Sequence, residues 1–147
     1  MNWHKTTINV RTSGKGLYEF TDSIRAQLHE WRVSEGVCYL FLQHTSASLL
    51  ISESWDPSAR ADLETFMEKL VPEGQRWYTH TLEGVDDATS HIRAMLTDVS
   101  LTIPIDGGEL SLGQWQGVYL FEHRARSHHR KVLMRAQSHH ACIDLKT

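Results

Sequence analysis

Hydrophobic and polar positions change period several times along the chain, and each change marks an element. Residues 6–12 alternate and are rich in β-branched side chains, the pattern of a strand with one buried face. Gly14-Lys15-Gly16 reads as a turn, after which residues 17–20 are expected to pair back on the first strand. A helix capped by Thr21 or Asp22 follows, with Ile24, Leu28 and Trp31 as its inward stripe. Ser34-Glu35-Gly36 stops it. Residues 37–43 are almost wholly apolar, which predicts a strand buried on both faces, and residues 48–52 form the next strand.

Asp56-Pro57 is a helix start, a capping carboxylate followed by proline at the first helical position. Leu63, Phe66, Met67 and Leu70 would be that helix's buried stripe, and Pro72-Glu73-Gly74 ends it. A polar connection leads to Asp86, placed to cap a third helix with Ala88, Ile92, Met95 and Leu96 facing inward. Residues 99–105 form a strand, and Asp106-Gly107-Gly108 is a hairpin turn. Residues 114–123 and 131–136 read as two more strands, joined by a basic hairpin loop. Many short strands and about three helices, without a βαβ repeat, predict an α+β fold with a mostly antiparallel sheet or sandwich. The length of 147 residues suits a single domain over residues 1–147.

Composition narrows the function. The formal net charge is −3, which argues against a nucleic-acid partner held by a broad basic surface. Arg124, Arg126, Arg130, Lys131 and Arg135 do concentrate positive charge late in the chain. The two cysteines, Cys38 and Cys142, have no Cys-x-x-Cys spacing, so neither a zinc ribbon nor a redox motif is present. The first residues lack an apolar signal-peptide core, and no apolar stretch approaches the ~20 residues of a membrane span. A cytoplasmic location without membrane association is the expectation.

Three histidines carry the candidate chemistry. His44 ends the apolar run and shares strand parity with Leu40 and Leu42. His91 borders the apolar stripe of the third helix, and His80 lies in the loop between them. Taken singly, His91 reads as a hydrogen-bonded core histidine and His80 as a solvated one. Taken together, imidazoles from a strand end, a loop and a helix would form an open site for a transition metal. Asp86 or Asp87 would orient a ligand histidine or cap the helix. Glu122 shares a strand face with Val118 and Leu120, so a buried carboxylate there would need a partner such as Arg130. Nucleotide-binding glycine loops and the nucleophile elbow of serine hydrolases are absent from the sequence.

The segment His44-Thr45-Ser46-Ala47-Ser48-Leu49-Leu50-Ile51-Ser52-Glu53 resembles a signature of the YjbQ-like family, described as secondary thiamine-phosphate synthases. So do Asp56-Pro57, His80-Thr81-Leu82-Glu83-Gly84 and Asp86-Asp87-Ala88-Thr89-Ser90-His91. The strongest block is Leu110-Ser111-Leu112-Gly113-Gln114-Trp115-Gln116-Gly117-Val118-Tyr119-Leu120, followed by Glu122-His123-Arg124. The resemblance implies a compact α+β fold that forms a homotrimer through packed sheets. It implies a pocket in which His44, His80 and His91 bind a divalent metal, with zinc or another transition metal suiting imidazole better than magnesium. Glu53, Asp86 and Glu122 become the candidate catalytic acids or bases, and Trp115, Gln116 and Arg130 the candidate substrate-binding residues. The implied reaction joins a pyrimidine diphosphate to a thiazole phosphate, so the partner would be a small phosphorylated or heteroaromatic substrate. Two other functions fit the same residues: a non-catalytic trimer that binds a metabolite or metal, and a metal-dependent phosphohydrolase. Ser48 stands where the motif usually has a small or apolar residue, and Ala125-Arg126-Ser127-His128 replaces a glycine-bearing turn.

Overall fold

The computed structural model describes residues 2–139, so His140 and Cys142 lie outside the described region. The elements run β1 (Asn2–Ser13), β2 (Gly16–Glu19), α1 (Thr21–Trp31), β3 (Gly36–Leu42), β4 (Ala47–Glu53), α2 (Pro57–Leu70), α3 (Asp87–Ala94), β5 (Ser100–Asp106), β6 (Glu109–Leu110), β7 (Gln116–Glu122) and β8 (Ser127–Ser138). A five-stranded sheet has the order β1-β8-β3-β5-β6, and a three-stranded sheet the order β2-β7-β4. Neighbouring strands are antiparallel throughout. The α+β reading with three helices therefore holds. None of the described helices is long and apolar enough to cross a membrane.

Two layers of apolar packing explain this arrangement. The larger core joins the sheets and α1 through Ile24, Leu28, Leu40, Leu49, Leu120 and Met134. A smaller one lies on the other face of the three-stranded sheet, where Tyr119 and Phe121 meet Leu17, Met67 and Val71, with Ile92 against them. Residues of β7 therefore face apolar layers on both sides, and all but the first are buried. That is the environment expected for residues 37–43. In β3 the burial alternates instead: Cys38, Leu40 and Leu42 are buried while Phe41 is 47% exposed. The difference is one of layers, since the outer face of the five-stranded sheet has no helix packed on it.

Other expectations are corrected by the register. β2 pairs with β7 rather than with β1, so the turn at residues 14–15 carries the chain from one sheet to the other. Likewise β7 and β8 belong to different sheets, so the basic segment is a crossover at residues 123–126 and no hairpin; residues 127–130 already belong to β8. Gly36 is required where β3 meets β8, because a Cβ there would lie 1.9 Å from the Gln137 carbonyl oxygen. The β5–β6 turn is as read, with Gly107 and Gly108 both at positive φ.

The helices show which local signals survived packing. Asp56 caps α2 as expected, accepting a hydrogen bond from the Ser58 amide at 2.9 Å, which holds its carboxyl below the usual pKa. Of the expected α2 stripe, Met67 is buried but Phe66 and Leu70 are more than half exposed. Thr21 makes no cap; its hydroxyl donates to Glu19 and accepts from the Val118 amide. α3 follows its apolar pattern only in part: Ile92 packs against the smaller core, but Met95 and Leu96 face outward. Asp87, Thr89, Ser90 and Arg93 are buried, whereas Met95 is 75% exposed. Hydrogen bonds fix that orientation: Nε and Nη2 of Arg93 both donate to the Val71 carbonyl, and Asp87 meets Arg124.

Candidate metal centre

This orientation of α3 brings a carboxylate and two imidazoles together. Asp87 and His91 are four residues apart on one helix, a spacing that places their side chains on the same face. The loop before α3 returns His80 to that face. Asp87 Oδ2 lies 2.6 Å from His80 Nε2 and 3.1 Å from His91 Nε2. All three potential ligand atoms lie within 4.8 Å of one another. Four donors arranged about a transition metal at bond lengths near 2.0–2.2 Å stand roughly 3.3 Å apart, a spacing close to that of Asp87 Oδ2 and His91 Nε2.

The hydrogen bonds define what the rings present. His91 Nδ1 lies 2.8 Å from the Thr45 carbonyl oxygen, so this nitrogen carries the hydrogen and donates it. In the neutral form of the ring the lone pair would be on Nε2, which faces Asp87 Oδ2. Two lone pairs at that distance repel unless a proton or a cation lies between them. A backbone carbonyl on the far nitrogen is also the usual support of a metal-bound imidazole. Burial pushes the pKa of Asp87 up, but hydrogen bonding from His80 and the charges of His91 and Arg124 outweigh it and hold the carboxylate below its ordinary value. The side chain of Asp87 is 6% exposed, that of His91 34% and that of His80 56%, so the buried charge is reached through the two rings.

The surroundings are apolar and open. On one side of the imidazoles a cavity of about 510 Å³ is lined by Thr45, Ala94 and Met95. On the other a cavity of about 380 Å³ is lined by Trp77, Tyr78, Ala88 and Ile92. Behind Asp86, a third cavity of about 550 Å³ carries Lys15, Arg124 and Arg126.

His44 stands apart from this cluster. Its Nε2 accepts a hydrogen bond from the Lys131 amide at 2.9 Å, and its Nδ1 faces Arg130 Nη1 at 3.4 Å. Burial and the Arg130 charge hold it below the ordinary histidine pKa, with Glu122 opposing. A neutral ring with its lone pair already committed to a backbone amide is not presented as a ligand. Of the three expected histidines, one chain brings His80 and His91 together with Asp87, and His44 lies outside that group.

The three candidate acids and bases are likewise engaged. Glu53 accepts from the Trp55 and Asp56 amides and shapes the lead into α2. Asp86 occupies the cap position of α3 but makes no side-chain cap; its Oδ2 accepts from Arg124 Nε and the Ala125 amide. Glu122 is fully buried. Its Oε2 accepts from Arg130 Nε at 2.6 Å and Thr12 Oγ1 at 2.9 Å, and its Oε1 from Arg130 Nη2 and the Arg124 amide. Arg130, expected to bind substrate, is thus the partner that a buried Glu122 requires, and it also bonds Ser46 Oγ. Trp115 and Gln116 belong to the other end of the three-stranded sheet. Glu53 pairs with Gln116 where β4 ends, while Ala47 pairs with Glu122 where it begins. At ~3.3 Å per residue these ends lie about 20 Å apart. There Trp115 packs edge-on to Trp55, and the Gln116 side chain accepts from the Gly113 amide.

Sequence reasoning assigns no role to the Thr45 backbone carbonyl, and it names Arg124 only within the basic run and not as a fork onto both aspartates. The i, i+4 relation of Asp87 and His91 was the signal available for the carboxylate ligand. Cys38 is excluded as a nucleophile, since burial pushes its thiol pKa up to about 12.

Residues 6–139 match the family model described as UPF0047 protein YjbQ-like. UPF0047 protein sll1880 of Synechocystis is 47% identical over 131 residues, which is 89% of each chain. The YjbQ protein of Salmonella typhimurium is 40% identical over 136 residues, 92% of this chain and 98% of its own. Among solved structures, an uncharacterized YjbQ/UPF0047 protein from Clostridium acetobutylicum superposes with a TM-score of 0.81 at 31% identity, covering 90% of this chain and 99% of that one. Hypothetical protein APE1520 from Aeropyrum pernix gives a TM-score of 0.84 at 25% identity over 92% and 99%. With the match extending from β1 through β8, the chain belongs to the YjbQ/UPF0047 family.

Proposed function

We propose that this chain is a small transition-metal enzyme whose centre is His80, Asp87 and His91. The observation that carries the reading is the single carboxylate oxygen facing two imidazole nitrogens, one of them on a ring whose far nitrogen is held by the Thr45 carbonyl. Two nitrogens and one oxygen suit zinc or another transition ion, and such an ion would supply Lewis acidity or an activated water. The chain's own residues would hold that ion, with apolar surface at Trp77, Ile92 and Met95 beside it to meet a substrate. The resemblance directs the substrate choice to a small phosphorylated heteroaromatic molecule, and thiamine-phosphate synthesis is the first activity to assay. In the neighbouring cavity Lys15 and Arg124 are paired with carboxylates, so Arg126 is the cation there that would meet a phosphate.

The test is metal content, measured by mass spectrometry on protein purified without a histidine tag. Near-stoichiometric metal in the native chain, lost in folded His80→Ala, Asp87→Ala and His91→Ala, is the expected result. No metal after reconstitution, or metal retained in all three variants, would overturn the centre. Loaded protein is then given a pyrimidine diphosphate and a thiazole phosphate, together and singly. Product formed only with both supports the synthase; phosphate released from one alone supports a phosphohydrolase.

A second reading, a non-catalytic metal or metabolite binder, draws on the engagement of Glu53, Asp86 and Glu122 in structural hydrogen bonds. It predicts tight metal binding without turnover. The homotrimer belongs to the same proposal, supported by Trp3 and Phe41 on the uncovered outer face of the five-stranded sheet. Sedimentation equilibrium of the native chain tests it.

A further inference from the structure

We propose that Arg124 is the positioning residue of the metal centre: it holds one oxygen of Asp87 so that the other alone is offered to the ion. The inference rests on the reading of His80, Asp87 and His91 as ligands. Arg124 is 9% exposed and its guanidinium is fixed at every corner. Nη1 donates to Asp87 Oδ1, Nε donates to Asp86 Oδ2 at 3.2 Å, and Nη2 donates to the Glu83 carbonyl at 3.1 Å. Its own amide donates to Glu122 Oε1 at 3.1 Å, and the next amide, of Ala125, donates to Asp86 Oδ2 at 2.8 Å. The planar fork thus ties the segment entering α3 to the crossover between the two sheets.

Two consequences follow for Asp87. Its Oδ1 is occupied by a charged donor, so only Oδ2 remains toward the imidazoles. Rotation that would present both oxygens to an ion requires breaking that ion pair. Charge acts in the opposite sense. Asp86 and Asp87 contribute two negative charges, and Arg124 cancels one, which weakens the general attraction for a cation. Orientation outweighs this loss, because an unpaired buried carboxylate pair would repel itself and shift the start of α3 away from the geometry in which Asp87 meets both rings. Supporting partners of metal ligands are commonly worth about 10- to 100-fold in affinity.

Cobalt(II) is the probe, since its visible absorption reports the ligand set independently of any activity. Native protein, Arg124→Gln and Arg124→Lys are titrated with cobalt after thermal unfolding has established that each is folded. Arg124→Gln is expected to bind about 10- to 100-fold more weakly, with altered band shape. Arg124→Lys, which keeps the charge and loses the fork, is expected to recover part of the affinity and not the native spectrum. Native affinity and spectrum in Arg124→Gln would overturn the proposal. So would full recovery of both by lysine, which would leave charge as the whole effect. Should Arg124→Gln not fold, Asp86→Asn loosens the guanidinium while leaving the three ligands in place. It is expected to shift the spectrum in the same direction with a smaller loss, and an unchanged spectrum would overturn the inference. A native chain that takes up no cobalt or other metal would instead bring down the metal centre itself.

Discussion

Asp87 and Glu122 are both buried carboxylates held by arginine, and they differ in what their remaining lone pairs meet. Glu122 has no exposure and receives hydrogen bonds at both oxygens, from Arg130, Thr12 and the Arg124 amide. Asp87 is 4% exposed, and only Oδ1 meets an arginine; Oδ2 meets two imidazoles that open onto apolar cavities. Burial of a charge therefore does not by itself mark a functional site. A carboxylate held entirely by arginine, a hydroxyl and a backbone amide stabilises a crossover between sheets, and one whose second oxygen meets only accessible imidazoles is equipped to receive a cation.

The sharpest way to break this comparison is to treat Glu122 as if it were functional. Arg130→Met removes its charged partner and leaves a buried carboxylate with two weak donors. The expected loss is about 3–5 kcal/mol of stability, measured by urea unfolding, while the folded fraction still binds metal near stoichiometrically. A loss under about 1 kcal/mol, the range of an exposed pair, would show that the saturated network does not hold the crossover. The corresponding change at the other carboxylate, Asp87→Asn, should have the opposite profile. Metal affinity should fall beyond the roughly 100-fold upper range for losing a supporting partner, read by titration of the folded variant. Retained affinity would remove the distinction between the two carboxylates.

A third buried group sharpens the contrast through pH. His123 is 1% exposed; its Nε2 lies 2.8 Å from Ser48 Oγ, which in turn accepts from Thr97 Oγ1 at 2.5 Å. Its Nδ1 is buried and has no hydrogen-bond partner among the described residues. Burial, with Arg93 and Arg130 nearby, pushes its pKa down to about 3. The folded ring stays neutral while the unfolded chain takes up a proton near pH 6.5. Its contribution to stability is therefore complete above about pH 6.5 and erodes by about 1.4 kcal/mol per unit as the pH falls toward 3. Urea midpoints between pH 7 and pH 5.5 should fall more steeply for the native chain than for His123→Gln. Equal slopes would mean that the ring is protonated in the folded state.

The sequence made the strand and helix order legible because each element keeps its own period and punctuation, as at Asp56-Pro57 and Asp106-Gly107-Gly108. It also exposed the pairing of Glu122 with Arg130, because strand parity placed the carboxylate in an apolar row. The orientation of α3 was not legible. Its apolar stripe includes Met95 and Leu96, which end up exposed, because long-range polar contacts from Arg93 to Val71 and from Arg124 to Asp87 bury polar positions instead. The same holds for His44. Local parity gave its partial burial, but the Lys131 amide that occupies its lone pair arrives from β8, which is distant in sequence and adjacent only after the five-stranded sheet forms. Asp87 was read as a cap or a support because helix starts commonly carry aspartate. Its role here follows from a loop that returns His80 to the same oxygen.

The smallest expected effect tests the geometry of the sheet itself. Trp115 was expected to share a pocket with the histidines, yet within one chain β4 separates them by about 20 Å. Substitutions that far apart with no shared partners usually act independently to within about 0.3–0.5 kcal/mol. Trp115→Ala should therefore change metal affinity by no more than about twofold, measured by the same titration used for Asp87→Asn. It should also leave the cobalt spectrum unaltered, because Trp115 stacks edge-on with Trp55 at the far end of β4. A tenfold loss would show that the tryptophan of one copy approaches the metal centre of another. The pocket expected from the sequence would then be real but assembled between chains, and the open apolar walls beside His80 and His91 would be the surface that the second copy covers.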